Sequence, residues 1–274
     1  MRTIESRLEP LETRRLLAAT LNDGLLRVTG AADSSNTITV LLNEGGTKVV
    51  ATINGAATEF DRAAVRKVIV HGGDKSDSLT VSAVLQVNSA IFGHDGDDVI
   101  LGGGGQRTAI FGGDGNDTIT ARGTRNHVHG GDGNDTITGS DNRDWIAGGD
   151  GADVINAAGG DDLVFGNGGA DDISGGDGKD LIHAGKGDDT VDGGAGNDRI
   201  FGHDGADRIL AGAGNDRVWG GKGVDTVLGG DGNDFIHGGK GADSLDGGAG
   251  DNRIRQGDDK QMRRHERAME RADI

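Results

Sequence analysis

Three features of the sequence predict an all-β repeat fold. The nine residues GGDGNDTIT at 112–120 return unaltered at 130–138, and stepping by nine from Gly112 gives sixteen consecutive units, ending at residue 255, without an insertion. Within the unit the first, second and fourth places favour glycine, while the eighth is Ile, Val or Leu every time, so a tight turn alternates with a short strand. Among 274 residues there are 54 Gly, one Pro, six Phe, two Trp and no Tyr, too few large side chains for an ordinary globular core.

The formal charge of −17 argues against nucleic acid and anionic membranes as partners and for cations. There is no Cys, so disulfides cannot staple the chain, and no stretch approaches the roughly 18 apolar residues of a membrane span.

In chain order, residues 1–20 come first. They lack the continuous apolar core of a secretory signal, and LEPLETRRLLAA resembles the LExLExRxLLA segment that opens many exported bacterial proteins; a capping helix is the other reading. Residues 21–71 form a leading β segment, because LLRVTG, NTITVLL, TKVVATI and VRKVIV are β-branched runs and Asn54-Gly55 is a hairpin signal. This segment is expected to feed into the repeats and cap them.

Residues 72–255 carry the repeats, with looser copies at 72–80, 93–101 and 102–111. Glycine at places one, two and four permits positive φ and close backbone approach. Places seven to nine form a strand whose eighth side chain, from Ile119 to Ile254, faces inward.

The pattern GGxGxDxUx, with U apolar, resembles the RTX (repeats-in-toxin) nonapeptide. That resemblance implies a right-handed parallel β-roll, a β-solenoid of 18-residue coils, with calcium between successive glycine-rich loops. The residues agree with it: a sixth-place Asp, present in fourteen of the sixteen units, offers beside glycine carbonyls the hard oxygen ligands that Ca²⁺ prefers.

Two units to a coil place alternate units in separate rows. Row one carries Asp117, Asp135, Asp153, Asp171, Asp189, Asp207, Asp225 and Asp243, preceded by Asp98 and Asp77. Row two carries Asn126, Asp144, Asp162, Asp180, Asp198, Asp216, Asp234 and Asn252, with Arg107 and Ser89 in the same place further upstream. Pairing neighbours gives seven calcium sites in row one, from Asp117 to Asp243, and four in row two, from Asp162 to Asp234, with Asp144 to Asp162 as a further one. Row two is therefore expected to lose sites toward the N-terminus.

Residues 256–274 read as a charged C-terminal helix, since Met262, His265, Met269 and Ala272 make one stripe. A short type I secretion signal, which the resemblance to RTX proteins implies, is the sharper reading.

No enzymatic activity is expected: there is no Cys or Tyr, no GxSxG and no HExxH, and His127-Val128-His129 is read as surface. The function expected is that of an exported calcium-binding module, structural or adhesive, extracellular or at the cell surface. The alternative is a calcium-dependent enzyme or toxin-related accessory protein. Ice binding is disfavoured because the Thr-x-Thr pairs at 118–120 and 136–138 are not continued. Five of the six Phe, both Trp and four of the eight His fall on the outward face of the row-two strands, a candidate docking strip for a carbohydrate or a protein.

Overall fold

The computed structural model describes residues 18–257. Two sheets of thirteen strands each share one apolar core, and along the repeats the chain alternates between them. Parallel neighbours ordinarily need a long crossover; here the strand of the opposite sheet is the crossover, and short glycine-rich turns join the two. The result is an all-β parallel solenoid.

From Thr118 onward each strand pairs with the one 18 residues later, as Thr118 with Thr136 and Thr136 with Val154, so two nonapeptides make one coil. The earlier coils are longer. Val99 lies between Ser78 and Thr118 in the second sheet, steps of 21 and 19 residues.

The leading segment supplies the first coil itself. Of its strands β1 (Ala18–Asn22), β2 (Leu25–Thr29), β3 (Thr37–Leu42), β4 (Lys48–Ile53) and β5 (Ala56–Asp61), β2 runs parallel to β6 (Lys67–Gly73), and β3 runs parallel to β7 (Ser78–Val81). The remaining three turn back antiparallel, β1 beside β2 and β4–β5 beside β3. They close the edge that an open parallel stack would expose. Asn54 (φ +49°) and Gly55 (φ +84°) make the two-residue hairpin loop that the sequence signals. The only helical turn among the described residues is a short 3₁₀ segment, Arg62–Ala64.

Strands in the repeats usually run six residues, as in Asp172–Asp177 and Arg199–Asp204, extending past the predicted three into the next unit's first places. Every eighth-place side chain from Ile119 to Ile236 is at most 1% exposed. At the far end Leu245 is half-buried and Ile254 is 45% exposed, because the strand carrying Ile254 is the last in its sheet. Of the predicted segment 1–20, residues 18–20 are strand and not helix, and 1–17 lie outside the described residues; of the predicted C-terminal helix 256–274 only Gln256 and Gly257 are described, and neither is helical.

The glycines divide into two kinds. Place-two and place-four glycines, such as Gly113 (φ +128°) and Gly115 (φ +130°), have the positive φ that a turn requires. Place-one glycines do not, contrary to the reading from sequence; they stand against the aspartate of their own unit, and at 121, 157, 184 and 211 the place is held by a buried alanine instead.

Candidate metal centre

The solenoid brings the sixth-place residues of each row into one buried file along the axis. In row one the aspartates from Asp77 to Asp225 are at most 4% exposed, and in row two those from Asp144 to Asp234 at most 3%. Each carboxylate uses Oδ1 to accept the backbone N–H of the sixth-place residue one coil earlier: Asp117 N–H donates to Asp135 at 2.7 Å, Asp153 to Asp171 at 2.9 Å, and Asp198 to Asp216 at 2.8 Å. Thus a file of one-sided hydrogen bonds joins each coil to the next.

The second oxygen has no such partner. Oδ2 is buried without a hydrogen bond in Asp77, Asp98, Asp117, Asp135, Asp153, Asp171, Asp189, Asp207, Asp225 and Asp243 of row one, and in Asp162, Asp180, Asp198, Asp216 and Asp234 of row two. Orphaned buried carboxylate oxygens are costly, since nothing replaces the water they gave up.

What surrounds them is more oxygen. A methyl group added at Gly229 would stand 2.6 Å from Asp234 Oδ2 and 2.6 Å from the Gly247 carbonyl of the next coil, and at Gly175 the corresponding distances are 2.7 Å to Asp180 and 2.6 Å to the Gly193 carbonyl. Where place one is glycine, the space a side chain would take is thus bounded by a carboxylate and a carbonyl, both acceptors.

The positions where aspartate is replaced show what this pocket wants. Asn252 ends row two: its Oδ1 accepts the Asp234 N–H at 2.7 Å as an aspartate would, while its Nδ2 donates to the Gly247 carbonyl at 2.8 Å. Asn126 donates from Nδ2 to the Gly123 carbonyl at 3.2 Å, and Asn36 to the Ala31 carbonyl at 2.9 Å. An amide puts a positive N–H₂ end among the carbonyls; a carboxylate needs a cation to do the same.

Burial pushes the carboxyls up. Without a cation it raises Asp98, Asp117, Asp135, Asp153, Asp162, Asp198 and Asp207 to about 7, and Asp189 and Asp225 to about 6, against the partial relief of the N–H bond. Asp77, Asp144, Asp171, Asp180 and Asp216 shift upward for the same reason.

Asp144 is the exception within the predicted set. Its Oδ2 accepts both the backbone N–H (2.8 Å) and the hydroxyl (3.0 Å) of Ser140, and its Oδ1 accepts Asn126 Nδ2 at 2.7 Å. Four donors satisfy it, counting the Asn126 N–H, so the expected pair Asp144–Asp162 lacks the orphaned oxygen on one side.

Upstream of Asn126 row two has hydroxyls. Thr108, not Arg107 as the sequence frame gives, aligns with Asn126 and with Ser89, because the unit at 102–111 has its extra residue before the strand. Arg107 is exposed. Thr108 Oγ1 donates to the Gly103 carbonyl at 3.1 Å, so this end is closed by neutral groups.

Two features escaped the sequence reading. Asn36 begins row one, 41 residues before Asp77, a gap that hides it from any nine-residue frame. Fifth-place Asn and Asp form a second, exposed ladder along the turns, with Asn134 N–H donating to Asn116 at 2.8 Å and Ala152 N–H to Asn134 at 2.7 Å.

The donors fit a hard cation. Among the described residues no three His, Cys, Asp or Glu side chains converge as a metal set, so the ligands available in each file are carboxylate oxygens from successive coils and the turn carbonyls beside them. An all-oxygen set of carboxylates and backbone carbonyls suits Ca²⁺ and not the ions that prefer imidazole or thiolate. A bound Ca²⁺ would supply the positive charge that the orphaned oxygens lack.

No curated protein matches the chain. A family model for the RTX calcium-binding nonapeptide repeat matches it in overlapping stretches that run from residues 88–109 to residues 228–255. With more than half of its length matched, and with a buried file of aspartates on each side of a parallel solenoid, the chain belongs to the RTX calcium-binding nonapeptide repeat family.

Proposed function

We propose that this chain is exported, folds outside the cell when Ca²⁺ fills the two aspartate files, and serves there as a structural or adhesive module rather than as an enzyme. The carrying observation is the set of buried, unpartnered Oδ2 atoms facing turn carbonyls, a fold whose completion requires a cation. Cytosolic Ca²⁺ is far below the roughly 10⁻⁴–10⁻³ M that extracellular modules use, so the chain would stay loose before export.

On this reading seven sites lie between Asp117 and Asp243 and four between Asp162 and Asp234. Asp98 and Asp77 extend row one, and the Asp144–Asp162 gap is left out because Ser140 satisfies Asp144.

The outer face of the first sheet supports the adhesive part in one form more than the other. Its rings stack face to face along the axis, as Phe201 on Trp219 at 4.5 Å and 3°, and His183 on Phe201 at 4.7 Å and 5°. The faces that a sugar would use are thus taken by neighbouring rings, Phe201 and Trp219 are themselves buried, and a partner would meet the exposed Arg199, Arg217 and Arg253, which suits a protein.

Far-UV circular dichroism at pH 8 tests the core of the proposal. The expected result is little β signal in EGTA and a cooperative rise at free Ca²⁺ of about 10⁻⁴–10⁻³ M. A full β spectrum in EGTA would overturn it.

A further inference from the structure

The pentapeptide FGHDG occurs twice, at 92–96 and 201–205, and both copies build the same arrangement. His94 and His203 occupy place two of the turn with φ of +84° and +73°, in the left-handed region that the repeat elsewhere usually fills with glycine. A histidine there is strained, and it occurs where the preceding coil presents another histidine on the strand.

Those partners are His71 and His183. His71 Nδ1 lies 3.0 Å from His94 Nε2, and His183 Nδ1 lies 2.9 Å from His203 Nε2. Each pair is flanked by the phenylalanine of its pentapeptide: His71 stacks on Phe92 at 4.8 Å and 9°, His183 on Phe201 at 4.7 Å and 5°. Two copies in one chain, alike in partners, distance and ring tilt, argue for a reason that turn formation alone does not give.

We propose that His183 and His203 form a site for a borderline divalent transition ion such as Zn²⁺, separate from the calcium files, and that His71 and His94 form a weaker copy of it. Imidazole nitrogens bind Zn²⁺ at about 2.0–2.1 Å, which in a tetrahedral set holds two ligand nitrogens about 3.3 Å apart, so the ion enters when the two rings turn out of their present in-line contact and open by a few tenths of an ångström. Glycine carbonyls and carboxylates, the calcium ligands here, compete poorly with imidazole for such an ion.

The two copies differ in one neighbour. Arg27 Nη1 stands 3.3 Å from His71 Nε2. An imidazole that gives Nδ1 to a metal carries its proton on Nε2, which then opposes the guanidinium, so Arg27 must move before the first pair can bind. At the second pair Asp204, next in sequence to His203, is held by Lys222 at 2.6 Å.

The test is isothermal titration of the calcium-saturated full chain with ZnCl₂ at pH 7.5, on the wild type and on His203→Gly, His94→Gly and His183→Phe. Glycine is the repeat's own residue at place two and phenylalanine occupies the neighbouring rungs Phe165 and Phe201, so the calcium midpoint should be unchanged in all three. Expected is a tighter class of Zn²⁺ binding in the wild type that is lost in His203→Gly and in His183→Phe and kept in His94→Gly. Absence of Zn²⁺ binding in the wild type, or the same tight class persisting in His203→Gly, would overturn the proposal and leave the pairs as histidine–histidine hydrogen bonds.

Discussion

At the scale of the residue, each sixth-place aspartate has two oxygens with different duties, and substitutions should separate them. Asp171 Oδ1 receives the Asp153 N–H at 2.9 Å, while its Oδ2 is an orphan. Asp171→Ala should therefore remove both calcium sites that share it and raise the calcium midpoint severalfold. Asn126→Ala should leave calcium stoichiometry unchanged, because Asn126 brings no carboxylate. It removes the amide from Asp144 Oδ1 and should cost about 1–3 kcal/mol in the thermal unfolding of the calcium-loaded protein. Equilibrium dialysis against labelled calcium, beside calorimetry, distinguishes the two; equal losses of bound calcium would refute the assignment of rows. The aspartate files were legible in the sequence because a period of nine, doubled to 18, fixes which residues stack. Asn36 was not, since 41 residues separate it from its successor, and Thr108 was misplaced by the one extra residue of its unit. The satisfaction of Asp144 by Ser140 depends on how a turn without its usual glycines folds back, which no repeat frame states.

At the scale of the element, the column of rings on the first sheet was readable in composition and register together. Phe92, Phe111 and His129 do align rung by rung, and so do His183, Phe201, Trp219 and His237. What the sequence could not supply was the direction of the ring planes. Stacked faces turn the strip into a continuation of sheet packing, with Phe201 4% and Trp219 6% exposed. Replacing both by Ser removes the Phe201–Trp219 stack and exposes sheet backbone. The calcium midpoint should therefore rise, with a loss of about 3 kcal/mol or more in the thermal stability of the calcium-loaded chain. An unchanged midpoint and melting temperature in the double variant would show that the column belongs to a partner and not to the fold.

For the whole molecule, the raised carboxyls set a pH dependence whose sign can be worked out. In the folded, cation-free chain burial holds Asp98, Asp117, Asp135 and their neighbours near 7, above the value of a solvated aspartate, so folding without metal binds protons. That contribution is fully present below about pH 4 and is lost as pH rises through 6 to 7. In EGTA the β signal should accordingly be larger at pH 5 than at pH 8. With calcium the dependence reverses, because the ion needs the ionised form: the calcium midpoint should rise as pH falls from 8 to 5, and binding at pH 6 should release protons. Calcium titrations by circular dichroism across this range check both signs, and a pH-independent midpoint would contradict the burial of the files.

The asparagines that stand at the ends of the files also set what the molecule can become. Asn36 begins one, Asn126 starts the carboxylate-bearing part of the other, and Asn252 finishes it, each putting an amide where the next carboxylate would have invited another ion. From Asp162 to Asp234 the coils repeat one contact, each sixth-place N–H donating to the carboxylate of the next coil. Deleting or inserting 18 residues between Asn126 and Asn252 would shorten or lengthen the rod by one rung, about 4.8 Å, and leave both ends chemically unaltered. The protein is in this sense a ruler graduated in whole coils.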